Sequence, residues 1–275
     1  MVTIARPEEL VQASLARWGG YGRNGSGKTT FLTTIPPEER VLVISEEGQN
    51  IKPLLGYKHI RVAKIVQWDE VGEVYRLIRH LHENDEKNGE HKCPTVAAFD
   101  GWPIRLMINK VTGAHLEPGE EIEWLSRPPD IYPKNWDSWE DAAGLSNYGL
   151  LCYMRLPCHL MVWFDEDEPK IDKGVIIRKG GPLLPKQAQP GAKRYLELLG
   201  RLFAEIENPG LDDVIPDTAS ERRRMLFGEH EIYYAKGPVH ALGYSMANPT
   251  WTKMLPALSA APLKINGESH EKEEE

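Results

Sequence analysis

Cysteine is scarce in this sequence: Cys93, Cys152 and Cys158 are the only three among 275 residues. They make no C-x-x-C pair and no even framework, which excludes a disulfide-stapled scaffold and a cysteine zinc site and fits a reducing compartment. Each reads as a small buried hydrophobe. Long apolar runs are also missing, since no stretch approaches the roughly 18 residues a membrane helix needs, and the N-terminus lacks a charged-then-apolar leader. The expectation is a soluble, unexported, cytoplasmic protein without membrane partners. Positive charge is in deficit, with 33 Lys and Arg against 41 Asp and Glu for a net charge of -8. That balance argues against a protein that coats duplex DNA by bulk charge. The scattered histidines form no metal-ligand spacing. Part of the acidity is local: "GESHEKEEE" carries Glu268, Glu271, Glu273, Glu274 and Glu275 against Lys272, and reads as a disordered, solvated tail over 266–275. Residues 1–265 are expected to form one domain, for which 41% hydrophobic content supplies a full core.

Glycine, by contrast, is concentrated. "GRNGSGKTT", Gly22 to Thr30, fits G-x-x-x-x-G-K-[ST] through Gly22, Gly27, Lys28 and Thr29, with Gly25 as an extra flexible position. Glycines at this spacing let consecutive N–H groups turn inward around an anion, and the helix that follows adds its unpaired N–H groups. The whole stretch, Gly22, Arg23, Asn24, Gly25, Ser26, Gly27, Lys28, Thr29 and Thr30, is the candidate nucleotide-binding segment. Lys28 would reach the β- and γ-phosphates. The Thr29 hydroxyl suits Mg²⁺, a hard cation that takes oxygen ligands. Just upstream, "SLARWGGY" reads poorly as a buried parallel strand, because Gly19 and Gly20 stand where Val, Ile or Leu is usual.

The remaining pattern alternates strands and helices. The helix opened by the loop stops at Pro36-Pro37, "RVLVIS" (40–45) reads as a buried strand, and "HIRVAKIV" (59–66) as another. Next, "DEVGEVYRLIRHLHEN" places Val71, Val74, Tyr75, Ile78 and Leu81 on one helical face, "ENDEKNGEHK" reads as polar loop, and "PTVAAFDGW" as an apolar strand ending in Asp100. Such alternation implies an α/β fold with a mainly parallel sheet flanked by helices, the ligand lying at the carboxyl ends of the strands. Asp100 would then orient Mg²⁺ or its water shell, unless it caps the following helix. Glu46 and Glu47 end "RVLVIS" on the same rim. One of them could activate or orient water, or the pair could be a solvated turn; neighbouring side chains in extended backbone face opposite ways.

"GRNGSGKTTFLTTIP", "VLVISEEG", "VAAFDGW", "LPCHLMVWF" and "YYAKG", in that order, resemble the landmarks of bacteriophage RecA-core ATPases, the AAA-domain nucleotide-binding proteins associated with single-strand annealing and recombination. The resemblance spans about residues 15 to 240. It implies a RecA-like P-loop fold with late β-hairpin elements, and it assigns the catalytic glutamate to Glu47 and the metal-binding aspartate to Asp100. The relatives' polar sensor falls on Asp165, where they carry Gln, Asn or His; the bland alternative for "DEDEP" is an acidic surface turn. Their K-x-R element, which acts on a neighbour's nucleotide, keeps Lys236 but has Pro238 for the arginine, so Lys236 is either a trans-acting cation or an ordinary hairpin lysine.

Three further segments remain. Residues 113–139 hold Trp124, Trp136 and Trp139 among prolines, and read either as a lid over the core or as a platform for single-stranded bases. "GAKRYLELLGRLFAEI" aligns Tyr195, Leu198, Leu199, Leu202, Phe203 and Ile206 at helical spacing. Arg222, Arg223 and Arg224 open the expected hairpin "ERRRMLFGEHEIYYAKG", as a solvated strand end or as a phosphate contact. The functional expectation is an ATPase using ATP and Mg²⁺, working as a homo-oligomer on single-stranded DNA beside a single-strand-binding protein, in a host cytoplasm if phage-encoded. The alternatives are a P-loop small-molecule or nucleotide kinase and a nucleotide-gated assembly module without turnover. A GTPase is disfavoured, because "NKVT" (109–112) lacks the base-reading aspartate.

Overall fold

The glycine pair that reads so poorly as strand is the centre of the sheet. The computed structural model describes residues 15–88, 92–113, 136–186, 188–204, 223–228 and 230–259. In it β1 (Arg17–Gly22) is buried throughout and pairs in parallel with β5 (His159–Asp167) on one side and β9 (Leu198–Ala204) on the other. A side chain at Gly20 would put its Cβ 2.3 Å from the indole of Trp163, and one at Gly19 would meet the Val162 carbonyl at 2.9 Å and a Leu196 methyl at 2.8 Å. The volume a branched residue would fill is supplied by neighbouring strands, so the hydrophobic pattern of β1 is displaced onto them.

Beyond β5 the sheet continues through β4 (Val96–Phe99), β2 (Val41–Glu46) and β3 (Ile60–Ile65), all in parallel. On the other side, β10 (Arg223–Leu226) runs antiparallel to β9 and to the edge strand β11 (Ser245–Ala247). The order is β11-β10-β9-β1-β5-β4-β2-β3, with the two-residue β8 (Gly181–Pro182) antiparallel to the end of β5. A separate antiparallel pair, β6 (Lys170–Asp172) and β7 (Val175–Arg178), turns through Lys173 and Gly174, both at positive φ.

Side chains alternate between two buried layers, as strand geometry requires. Ile44, Phe99, Val162 and Leu199 face one layer, packed with α2 (Trp68–Asn88), α3 (Ile104–Thr112) and α4 (Trp136–Met154). Val43, Ala98, Met161 and Leu198 face the other, with α1 (Lys28–Leu32) and α7 (Trp251–Ser259). Two short helices, α5 (Gln189–Tyr195) and α6 (Val239–Leu242), and a single 3₁₀ turn at Lys52–Leu54 complete the described elements. The expected face of α2 is in the core, with Val71, Val74 and Ile78 buried. Among the described residues no helix is long and apolar enough to cross a membrane.

Several expectations are corrected. "ENDEKN" is not loop, because α2 runs on to Asn88. The run from Tyr195 to Ile206 is not one helix: α5 ends at Tyr195, and Leu198, Leu199 and Leu202 fall on alternating faces of β9. A short apolar run fits a buried strand as well as a helix, and the open parallel edge of β1 decides between them; Ile206 lies outside the described residues. The string from Arg223 to Gly237 forms no hairpin, since β10 pairs with β9 and β11 while Tyr233 and Lys236 bridge to Gly180 and Leu199. Helix α4 begins within the expected irregular segment, whose residues 114–135, with Trp124, lie outside the described ones, as do 266–275. Its buried Ala142, Ala143, Ser146, Leu150 and Tyr153 recur at helical spacing, a signal that the Trp/Pro cluster beside it obscured.

Gly20→Ala is expected to force Trp163 from a fully enclosed position. Overpacking of this kind costs about 1–3 kcal/mol. Chemical denaturation should show a lower midpoint with an unchanged slope; a midpoint equal to that of the parent would mean the indole has room to move.

Candidate phosphate-binding site

The loop after β1 is closed by Ser26 N–H donating to the Arg23 carbonyl at 3.1 Å, and Phe31 N–H donating to Gly27 O at 2.8 Å opens α1. Gly25 and Gly27 sit at φ +80° and +97°, where residues with a Cβ are strained. Gly22 has no room for a side chain, because a Cβ would stand 2.4 Å from the Leu202 carbonyl and 2.5 Å from Ser26 Oγ. The loop lies along a cavity of about 400 Å³. Arg23, Asn24, Gly25, Gly27, Lys28, Thr29 and Thr30 line it, whereas Gly22 and Ser26 sit behind the loop. A helix leaves its first N–H groups without intrahelical partners, and the residues that carry them here are on the cavity wall.

Opposite the loop stand the ends of β5 and β4. Lys28 Nζ donates to the Gly22 carbonyl at 2.6 Å and to Asp165 Oδ1 at 3.0 Å, with the lysine side chain 11% and the aspartate 52% exposed. Thr29 Oγ1 donates into the Asp100 carboxylate, 2.9 Å from Oδ1 and 3.0 Å from Oδ2. Burial pushes Asp100 up from 3.8 to about 6, opposed by the Thr29 hydrogen bond and the Lys28 charge and reinforced by Asp165. A hydroxyl and a buried carboxylate in contact are hard oxygen donors, and they fit Mg²⁺, which binds through one or two carboxylates and completes its shell with water and substrate phosphate.

Asp165 does not belong to an acidic surface turn, as one reading of "DEDEP" had it. Strand β5 continues through Asp167. The Glu166 side chain, 1% exposed, is held by Arg201 at 2.9 Å and approached by Arg23 at 3.6 Å, and Arg201 stacks on Tyr233 with its guanidinium carbon 3.6 Å from the ring centre. The strand end is thus ordered by ion pairs and carries Asp165 to Lys28.

The two glutamates are separated from the cavity. Glu46 pairs with Arg105 at 2.5 Å, while Glu47 is exposed, its N–H donating to Ile65 O at 2.9 Å. Neither lines the cavity. A turn with Gly48 at φ +88° and Gln49 N–H on Glu46 O at 3.2 Å folds the chain back and brings Gln49 in instead. Ser45 Oγ donates to Gln49 Oε1 at 2.9 Å, and the amide nitrogen lies where a Cβ on Gly101 would be, 2.5 Å away. The sequence reading missed Gln49; Gly48 before it and Gly101 after Asp100 were the available signals. Arg223 also lines the cavity, whereas Arg224 bonds Ser245 Oγ at 3.1 Å and Arg222 lies outside the described residues. Lys236 is elsewhere: its Nζ donates to the carbonyls of Lys193 at 2.9 Å and Leu196 at 3.1 Å, so the ammonium is engaged within its own chain at the end of α5.

Asp100 generates a pH dependence with a definite sign. Its folded pKa is raised, so the folded state holds the proton more tightly, and the associated stability is present below about pH 4 and lost as pH rises through about 6. Asp100→Asn cannot ionise. Without added metal it should be more stable than the parent at pH 8, by on the order of 1–3 kcal/mol, and equal to it near pH 4. Added Mg²⁺ should restabilise the parent alone. Parallel pH profiles in chemical denaturation would contradict the assignment. No protein-family model and no curated protein matches this chain, so what the site can do rests on its own residues.

Proposed function

We propose that the chain binds ATP with Mg²⁺ along the 22–30 loop and hydrolyses it. The observation that carries this reading is the convergence of Lys28, Thr29 and Asp100 on one cavity, with Thr29 and Asp100 in direct hydrogen bond. The loop's backbone N–H groups and Lys28 would hold the phosphate oxygens, Lys28 exchanging Asp165 for phosphate. Mg²⁺ held by Thr29 and Asp100 would neutralise charge on the phosphate oxygens. Gln49 and Asp165 stand on the same wall, within the set that could orient a water molecule. A RecA-like core is the finer reading of the fold; it is supported by the neighbouring parallel strands β1, β5 and β4, which carry the loop, Asp165 and Asp100 on one rim. Single-stranded DNA in phage-type recombination and a homo-oligomeric assembly follow from the resemblance alone.

A second reading has a specific observation in its favour. Glu47 is exposed and off the cavity, and the two carboxylates on the wall, Asp100 and Asp165, already have partners. A site so furnished suits a nucleotide-gated assembly module without significant turnover.

Nucleotide binding and ATP turnover, with and without single-stranded DNA, separate the two. Lys28→Ala is expected to weaken ATP binding by about 1.5–3 kcal/mol and to reduce turnover further, since the contact strengthens as charge develops. Glu47→Gln should lower turnover by roughly 10²–10⁴-fold if that glutamate reaches the attacking water. Retained turnover in Glu47→Gln would assign the water to another group. ATP binding without turnover in the parent would establish the second reading, and unaltered binding in Lys28→Ala would remove the loop from the function.

A further inference from the structure

Arg223 is the first residue of β10, and its position follows from strand direction. The described strand carrying it is antiparallel to β9, so its first residue, paired with Ala204 at the end of β9, lies on the rim where the parallel strands finish. The backbone there is pinned from both sides by Asn248, whose Oδ1 accepts from Arg223 N–H at 3.0 Å and whose N–H donates to Arg223 O at 2.6 Å. From that anchor the guanidinium packs over the phosphate loop. A Cβ on Gly27 would stand 2.3 Å from Arg223 Cζ and Nε. Gly27 is therefore fixed as glycine twice over, by its φ and by this guanidinium.

Among the described residues the guanidinium has no counter-charge. Arg223 Nε is buried with no hydrogen-bond partner, and among the described residues no carboxylate lies within ion-pair distance of the side chain. Burial lowers its pKa. The other cations around the loop are engaged, Lys28 with Asp165 and Arg23 with Glu168 at 3.1 Å. A partly desolvated cation without a counter-ion is costly unless an anion completes it.

The sheet order says which part of an anion that would be. Asp165 and Asp100 stand on β5 and β4, to one side of β1, whereas Arg223 stands on β10, two strands to the other side. In the nucleotide-binding reading Thr29 and Asp100 would hold Mg²⁺ at the terminal phosphates, so the pair would mark the terminal end of a bound polyphosphate. The end attached to the nucleoside then points toward β9 and β10. We propose that Arg223 binds the nucleoside-proximal phosphate from within the same chain, an inference that rests on the nucleotide-binding reading above. Arg223 is a substrate-binding residue in this scheme: its contact is the same before, during and after transfer of the terminal phosphoryl group, so it acts on affinity and not on the chemical step.

The test compares the parent, Arg223→Gln, Arg223→Lys and Lys28→Ala in equilibrium binding of ATP and ADP, and in ATP turnover where it is measurable, with thermal melting without nucleotide as the folding control. Arg223→Gln should weaken ATP and ADP by the same factor, roughly tenfold to a hundredfold, the span of a charge-assisted hydrogen bond. KM should rise with kcat nearly unchanged, and Arg223→Lys should recover part of the loss because it keeps the charge without the planar fork. Loss confined to ATP, or a fall in kcat at constant KM, would place Arg223 at the terminal phosphate and overturn the proposal. Unchanged affinity in both Arg223 variants, with Lys28→Ala impaired, would overturn it while leaving nucleotide binding intact. Parent-like ATP binding in Lys28→Ala would instead defeat the nucleotide reading itself, and the proposal with it.

Discussion

The close approach of Trp163 to the backbone of Gly20 is the constraint from which the rest of the site is laid out. It holds β1 between two parallel neighbours with no side chain of its own at that point, so the strand carrying the loop is fixed by what packs against it. Because β1 is central, the loop at its end faces residues from both halves of the sheet: acids from β5 and β4 on one flank, and an arginine from β10 on the other. An edge strand could not collect both. The same centrality buries the Asp100 carboxylate, and that burial raises its pKa.

How much of this was legible depends on whether a residue's role is local. The 22–30 loop is, because the left-handed backbone at Gly25 and Gly27 is written directly as glycine. Asp100 is nearly so, since an acid after a run of buried strand residues has few places to go. Helix α2 declared its buried face through spacing alone. By contrast, β9 is a strand because β1 offers it an open parallel edge, a fact about residues some 180 positions upstream that no window of its own sequence contains. That Gln49 and not Glu47 lines the cavity follows from a tight turn after β2, where Gly48 redirects the chain. Arg223 was visible only as one of three arginines; its selection over Arg224 comes from which face of β10 meets Gly27.

The charges around the site form two groups with different tasks. Glu166, enclosed and gripped by Arg201 and Arg23, is spent on holding the end of β5 and one side of the loop together. Buried pairs of this kind define a geometry more than they add stability. Lys28 and Arg223 are at the cavity itself, one with an exchangeable partner and the other with no carboxylate paired to it among the described residues.

The Lys28–Asp165 pair has a consequence for selectivity. An incoming anion meets an ammonium that is already satisfied, so it must outbid an internal competitor of unit charge. Asp165 is half exposed, and its hold on the lysine is weakened by solvent screening. Under the proposed function the threshold would therefore be lower for a ligand that brings several negative charges and oxygen acceptors at once than for a small monovalent ion such as chloride. If the cavity binds nucleotide as proposed, this pair would favour polyvalent anions over monovalent ones before any contact with the nucleoside.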